Sequence, residues 1–266
     1  TRGTPISIRT EKTLGKARKA EYQIVLCTGR QYAGIRSLLE QLDLSGPHVV
    51  SDGAVIVNRS GFVYERHNLL QGDIALAVQT ASRYRCSPIL WGDDDAACGA
   101  WNADIEYSVS HGDPVPLVDP DWAGSALGFH PTMALFVDHT ESDSLDLLAS
   151  DLDAIPGLSA RRSGPGYVLA VSAGISKQSG LRAALSRTGF PRDSCEVIAF
   201  GDSMNDLPLF EESDFAVAMG GAHRSILAAA DLVAPTIEED GVAAVVEALL
   251  SGADLRDAAG QPRPTH

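Results

Sequence analysis

The chain is short of basic charge, with 21 Lys and Arg against 35 Asp and Glu in 266 residues, a formal net charge of −14. A nucleic-acid surface needs clustered Lys and Arg to replace the counterions of the phosphate backbone, so no nucleic-acid partner is expected. A small phosphorylated ligand is not excluded, because one bound cation or one local basic group can neutralise a single phosphate. For most of the surface the acidity reads as a solubility feature. No apolar run approaches the roughly 18 residues of a membrane span, and no signal-peptide pattern opens the sequence. The cysteines number only four, Cys27, Cys86, Cys98 and Cys195, without the paired spacing of a metal site. A reduced, cytoplasmic setting is the expectation.

What is present is ordinary globular composition, 44% hydrophobic and 21% charged, in a chain long enough to bury a large core. "KTLGKARKAEYQIVLCTGR" reads as helix, short buried strand and loop. The following segment places Ile35, Leu38, Leu39 and Leu42 on one helical stripe. "HVVSDGAVIVNRSGFVYE" reads as a strand, a glycine-containing turn and a hairpin. From about Arg66 the texture changes: a helix, a Gly-, Pro-, Asp- and Trp-rich stretch, then "TMALFVD" as strand, "ESDSLDLLASDL" as helix and "GYVLAV" as strand. The α/β rhythm resumes with a helix expected to end at Gly189, the strands "CEVIAF", "DFAVAMG" and "DLVAP", and a last helix bearing Val242, Val245, Val246 and Leu249 on one face. The organisation expected is a parallel α/β core in two parts, 1–66 and 170–256, interrupted by an inserted α+β domain over 67–169, with 257–266 as a loose tail.

Ligands of parallel sheets bind at the carboxyl ends of the strands, and three such junctions carry polar residues. In "VLCTGR", Thr28 offers a hydroxyl and Gly29 lets a ligand approach the backbone ahead of a helix start; the plainer reading is a helix N-cap. In "AGISKQSGL", Lys177 stands at a helix start, where a cation opposes the helix dipole; the plainer reading is a solvated lysine. In "AFGDSMNDLPLF", Asp202 ends a strand and Asp206 lies one turn on, a pair suited to Mg²⁺, which takes one or two carboxylates and keeps waters. The plainer reading there is an acidic helix start. Together, a hydroxyl, an ammonium and two carboxylates are parts able to hold a phosphoryl group against a metal ion.

These three segments, with "AVAMGGAHRSILAAADLVAP" and "EEDGVAAVVEALL", resemble the motifs of the haloacid-dehalogenase (HAD) superfamily of phosphohydrolases, in its Cof-type branch. The resemblance spans nearly the whole chain and is weakest over about 87–130. It implies a Rossmann-like core with a mobile cap, and Mg²⁺-dependent hydrolysis of small phosphorylated metabolites such as sugar phosphates through an aspartyl-phosphate intermediate. It also implies site roles. Thr28 would hold the transferring phosphoryl oxygen and Lys177 would offset its charge. Asp202 would ligate Mg²⁺, with Asp206 ligating or supporting it. Asn205 would help hold the phosphate, and Gly29 and Arg30 would shape the pocket around it.

The chain departs from that pattern in three places. Asp52 stands in "SDGAV" where the family commonly has Asn, and Gly221 follows "AMG" where Asn is usual. The family's opening D-x-D-G-T, whose first Asp is the nucleophile and second the general acid and base, occurs nowhere in the chain. Asp93, Asp94 and Asp95 are a poor substitute, since three adjacent acids usually form a solvated loop and these lie in the inserted segment. The first core strand is therefore expected to be missing, from between the strands that lead to Thr28 and Asp202. Loss of a mid-sheet strand leaves two unpaired edges, so a sequence begun too late is favoured over a true pseudoenzyme. As it stands the chain is expected to be inactive. A noncatalytic binder of a phosphorylated ligand is the alternative. A phosphoacceptor receiver domain is disfavoured, because there the acid pair precedes the Thr.

Overall fold

The computed structural model describes residues 6–258, apart from 124–127, 129, 190 and 191. Ser7 caps helix α1 (Ile8–Lys19) by accepting from Thr10 N at 3.0 Å, and acidic Glu11 opens the helix while Lys16, Arg18 and Lys19 close it, as the helix dipole favours. The run Ile24–Cys27 follows, and after it α2 (Arg36–Gln41), entered through a 3₁₀ turn. The expected stripe buries Ile35, Leu39 and Leu42 and half-buries Leu38. Strands β1 (His48–Val50), β2 (Val55–Val57) and β3 (Val63–Arg66) form an antiparallel sheet.

The inserted unit comprises α3 (Gln71–Ala81), β4 (Ser87–Trp91), β5 (Ala96–Cys98), α4 (Ala103–Ser110), β6 (Leu117–Val118), β7 (Met133–Val137), α5 (Ser144–Asp153), β8 (Leu158–Gly164) and β9 (Tyr167–Ser172). Its six strands run in the order β6-β5-β4-β7-β9-β8. Leu145, Leu148 and Leu152 of α5 and Ile74 and Ala77 of α3 pack on one face, against Leu90, Phe136 and Val168. The opposite face presents Ile89, Trp91, Leu135, Leu169 and Val171, which meet Ile105 of α4 together with Ala54 and Ile175 from outside the insertion. A sheet whose residues alternate between two apolar neighbours needs cover on both sides. Here one cover is helical and the other is in part the rest of the molecule.

The chain then continues through α6 (Lys177–Leu185), β10 (Ile198–Gly201), α7 (Leu207–Glu212), β11 (Phe215–Gly220), α8 (Arg224–Ala229), β12 (Leu232–Thr236), α9 (Gly241–Leu250) and α10 (Leu255–Ala258). Strands β10, β11 and β12 are parallel neighbours in that order. The helix expected to reach Gly189 stops at Leu185; turns follow, and Gly189 takes a φ of +79° that glycine alone adopts without strain. The expected tail begins within α10, and residues 259–266 lie outside the described residues. Helix α9 packs on α1, where Thr13 Oγ1 donates to Glu247 Oε1 at 2.9 Å.

Ile24–Cys27 lies parallel to β1: Val49 N donates to Leu26 O at 2.7 Å and Thr28 N to Val49 O at 2.9 Å. The expectation is a short buried strand, yet among the described residues only Cys27 pairs with Val49, as a bridge, and Ile24, Val25 and Leu26 are half-buried. The reason is a neighbour on one side only. Among the described residues β10 likewise pairs only with β11, so the core carries two separate three-stranded sheets. Helix α6 spans the interval, its Leu181 and Leu185 packing with Val25 and Cys27 of one sheet and Ala199 of the other.

The turn between β1 and β2 touches both the Thr28 loop and α6. Ser51, Asp52 and Gly53 have φ of 48°, 56° and 107° in succession, a left-handed path unfavourable for the first two. Helix α6 presses on this turn: a Cβ at Gly53 would lie 2.1 Å from Ser176 O. Gly53→Ala is expected to cost roughly 2 kcal/mol or more, read as a lower urea midpoint for unfolding. A second prediction concerns the inserted unit, where buried Asp138 accepts four hydrogen bonds from the backbone and hydroxyls of Thr140 and Ser142. Burial pushes its carboxyl up, and these bonds outweigh that effect, bringing it from 3.8 down to about 2. The depressed value means stability present above the unfolded pKa and lost as pH falls, worth about 2 kcal/mol. Asp138→Asn should therefore be less stable than the parent at pH 7, with the gap closing between 3.8 and about 2 in denaturant titrations across that range.

Candidate active site

Four loops meet at the carboxyl ends of Ile24–Cys27 and β10. Thr28, Gly29 and Arg30 are held against the 51–53 turn by backbone bonds, Asp52 N to Thr28 O at 3.0 Å and Ser51 N to Arg30 O at 2.8 Å. Thr28 Oγ1 accepts from Arg30 N at 3.1 Å, which makes it a turn-former whichever further role it has. A Cβ on Gly29 would point at Asn205 Nδ2 (3.6 Å) and Asp52 Oδ1 (3.8 Å). The glycine thus borders both side chains.

Lys177 is the first residue of α6, whose N-cap Ser176 forms a reciprocal pair with Ser179. The side chain is not solvated: Lys177 is 5% exposed and Nζ donates to Asp206 Oδ1 at 2.6 Å, with Asp206 4% exposed. Burial pushes the ammonium's pKa down, but Asp206 and, further off, Asp52 outweigh it and raise it above its ordinary 10.5. The other Asp206 oxygen accepts from Asp202 N and Ser203 N, each at 3.0 Å. That fold-back needs Gly201, where a Cβ would lie 2.6 Å from Asp206 Cβ. Asp202, by contrast, is exposed, so its carboxylate faces out from the strand end while Asp206 faces in.

This donor set suits Mg²⁺ in a limited way. Asp202 is available as one carboxylate ligand, and Mg²⁺ asks for only one or two, with waters. Asp206 has both oxygens engaged, one by an ammonium and one by two amides, so as arranged it orients Lys177 and the Asp202 backbone. Among the described residues the carboxylate and imidazole groups drawn within 4.8 Å of one another in threes are elsewhere, at Asp104, Asp138 and His139 in the inserted unit. Those already bond one another or nearby hydroxyls and amides: Asp104 Oδ1 accepts from His139 N and Oδ2 from Ser87 Oγ.

Asp52, noted in the sequence only as an unusual residue, lies at the centre. It is 0% exposed, accepts from Asn205 Nδ2 at 2.8 Å through Oδ1, and holds Arg161 of β8 through Oδ2. Arg161 carried no signal in the sequence, and the strand that holds it is seen only in the structure. Cys27 also borders the cluster: burial first, then Asp206 and Asp52 against Lys177, push its thiol to about 12, so no thiolate nucleophile stands there at neutral pH. The Asp93–Asp95 turn, remote in sequence, is close in space. Gln31, next to Arg30, donates its amide to Gly92 O and Asp95 O at 2.8 and 2.9 Å. Its carboxylates turn elsewhere: Asp94 and Asp95 are exposed, and Asp93 pairs with Arg66.

The model of haloacid dehalogenase-like hydrolases matches residues 1–246. The chain belongs to that family. The 5-amino-6-(5-phospho-D-ribitylamino)uracil phosphatase YcsE of Bacillus subtilis is 25% identical over 241 residues, 91% of this chain and 87% of the relative. The putative phosphatase YxeH of the same organism is 27% identical over 249 residues, 88% of each chain. Among solved structures, a haloacid dehalogenase-like hydrolase from Bacteroides thetaiotaomicron superposes with a TM-score of 0.76 at 24% identity, covering 92% of this chain and 93% of that one. The HAD subclass IIB sugar phosphatase BT4131 gives 0.76 at 22% identity, covering 93% of both. These structures establish the HAD fold, a Rossmann-like core with a cap, and the inserted unit is hereafter the cap. Among the described residues no helix is long and apolar enough to cross a membrane.

The buried pair gives a direct prediction. Lys177→Met strands the Asp206 carboxylate and is expected to destabilise by about 3–5 kcal/mol, measured by urea unfolding. Because the folded-state lysine pKa is raised, the pair's contribution is complete below 10.5 and lost as pH climbs through the folded value. The gap between parent and variant should be flat through neutral pH and narrow only in strong alkali.

Proposed function

We propose that this chain carries the fold and phosphate site of a Mg²⁺-dependent phosphomonoesterase acting on small phosphorylated metabolites such as sugar phosphates. One observation carries the reading: Lys177 is buried and charged near the carboxyl ends of the 24–27 run and β10, beside the Thr28 loop, Asn205 and the Asp202 strand end. A buried cation at that end of an α/β core suits an anion better than any neutral ligand. The phosphatases named among the relatives support it.

In this reading Thr28 and the Gly29 backbone seat the phosphoryl group, Lys177 offsets its negative charge, and Asn205 and Arg30 border the pocket. Asp206 keeps Lys177 aimed and protonated. Asp202 would hold Mg²⁺, which when bound supplies neutralisation of the phosphoryl oxygens. The cap, proposed to extend over 67–169, would cover the leaving group. The nucleophile and the proton donor of the family belong to D-x-D-G-T, which the 266 residues do not contain.

The second reading, a noncatalytic binder of a phosphorylated ligand, is favoured by one feature. The loops hold one another through Asp206–Lys177 and Asn205–Asp52, bonds made among this chain's own residues.

The 266-residue chain is expected to release no phosphate from p-nitrophenyl phosphate with Mg²⁺. A chain extended upstream by a strand ending in D-x-D-G-T is expected to do so, to stop when Mg²⁺ is chelated, and to lose about 10²-fold or more in kcat on Lys177→Met. Inactivity of the extended chain across a broad metabolite panel would remove the phosphatase reading. Retained phosphate binding by equilibrium dialysis would then favour the binder.

A further inference from the structure

The cap and core meet through contacts of unequal kind. Gln31 reaches two cap carbonyls, Ala54 and Ile175 lie against the apolar cap face, and Arg66 pairs with Asp93 at the partly exposed rim. Neutral contacts of this size and rim pairs hold domains together weakly. One contact differs. Arg161 of β8 stands opposite Leu169 and therefore on the core-facing side of the cap sheet. Its Nε and Nη2 reach Asp52 Oδ2 at 2.9 and 2.7 Å, and Nη2 also donates to Ile175 O at 3.0 Å, in the connector that leads to α6. Among the described residues this is the ion pair between cap and core with a fully buried partner, since Asp52 has no exposed surface.

A turn residue at a cap–core seam is normally wet. Asp52 is dry, with Arg161 of the cap on one carboxylate oxygen and Asn205 on the other. A carboxylate in that position is costly without a cation and favourable with one. Lys177 and Asn205 belong to the core, and Lys177 is already committed to Asp206. The cation specific to Asp52 comes from the cap. Were the two parted, Asp52 and Arg161 would each return to water; together, each neutralises the other beside the Thr28, Lys177 and Asp202 loops.

We propose that the Asp52–Arg161 pair is the latch that holds the cap closed over the candidate active site. An asparagine at position 52 would keep an acceptor for Asn205 but bring no charge to Arg161, so the acid is what makes the closure ionic. The proposal stands whether the site hydrolyses phosphate or only binds it.

Native-state amide exchange on the 266-residue chain tests it. The reporters are Asp52 N and Ala54 N in the core turn and Gly92 N in the cap turn, all hydrogen-bonded in the closed arrangement. The β11 amides serve as a control remote from the cap. Asp52→Asn and Arg161→Gln are each expected to speed exchange at the reporters by about tenfold or more while leaving β11 unchanged. Arg161→Lys should fall between parent and Arg161→Gln, and the double variant should match the single ones, because each already breaks the same bond. Unchanged reporters in the single variants, equal acceleration in β11, or additive effects in the double variant would overturn the latch. If Arg161→Gln does not fold, Asp52→Asn and Arg161→Lys decide alone by the same reporters.

Discussion

The buried Lys177–Asp206 pair is the constraint on which the arrangement of this molecule turns. Two charges removed from water hold together only if they are paired and hydrogen-bonded, and for Asp206 the surrounding chain meets that condition with few groups. One Asp206 oxygen takes the ammonium; the other takes the two amides at the end of β10. To reach both, Asp206 folds back over Gly201, where any side chain would collide, and Lys177 must sit on the first turn of α6. That places α6 directly on the 51–53 turn, where Gly53 and Gly180 allow the backbones to touch. Three stretches far apart in the chain are thereby each a condition of the others.

The same helix explains how the core holds its shape around two separate three-stranded sheets. Ile24–Cys27 and β10 each have a partner on one side only among the described residues, yet α6 buries Leu181 and Leu185 against both. The hydrophobic layer above the sheets is continuous even though the hydrogen-bond ladder below it is not. Burial is non-directional and tolerates such an interruption, whereas backbone pairing does not. The half-exposed Ile24, Val25 and Leu26 record the difference.

Much of this was legible as pattern. The continuous apolar runs of β7 and β11, the stripe of α5 and the alternation of strand and helix after residue 170 all came through as expected, because burial period and element length mark them locally. Thr28, Lys177 and Asp202 stood out because polar residues at strand ends are few. What escaped were properties owned by neighbours. The end of α6 at Leu185 is a matter of turns that continue a helical-looking sequence. The weakness of 24–27 as a strand goes with pairing on one side only among the described residues, not with its own residue types. Lys177 could equally have been a solvated lysine until Asp206 was found 2.6 Å away.

The sequence by itself determined the family, the α/β class, the inserted cap and which loops carry polar chemistry, since those are written in short motifs and periodicities that neighbouring residues share. Only the tertiary structure decided that Asp206 turns inward while Asp202 faces out, that Asp52 lies wholly buried, and that Arg161 from the cap is its counter-charge. The physical reason is range. Periodicity is set by residues within a turn or two of one another, but the protonation and orientation of a buried charge are set by whatever partner the fold delivers, here 29 residues away for Asp206 and 109 for Asp52.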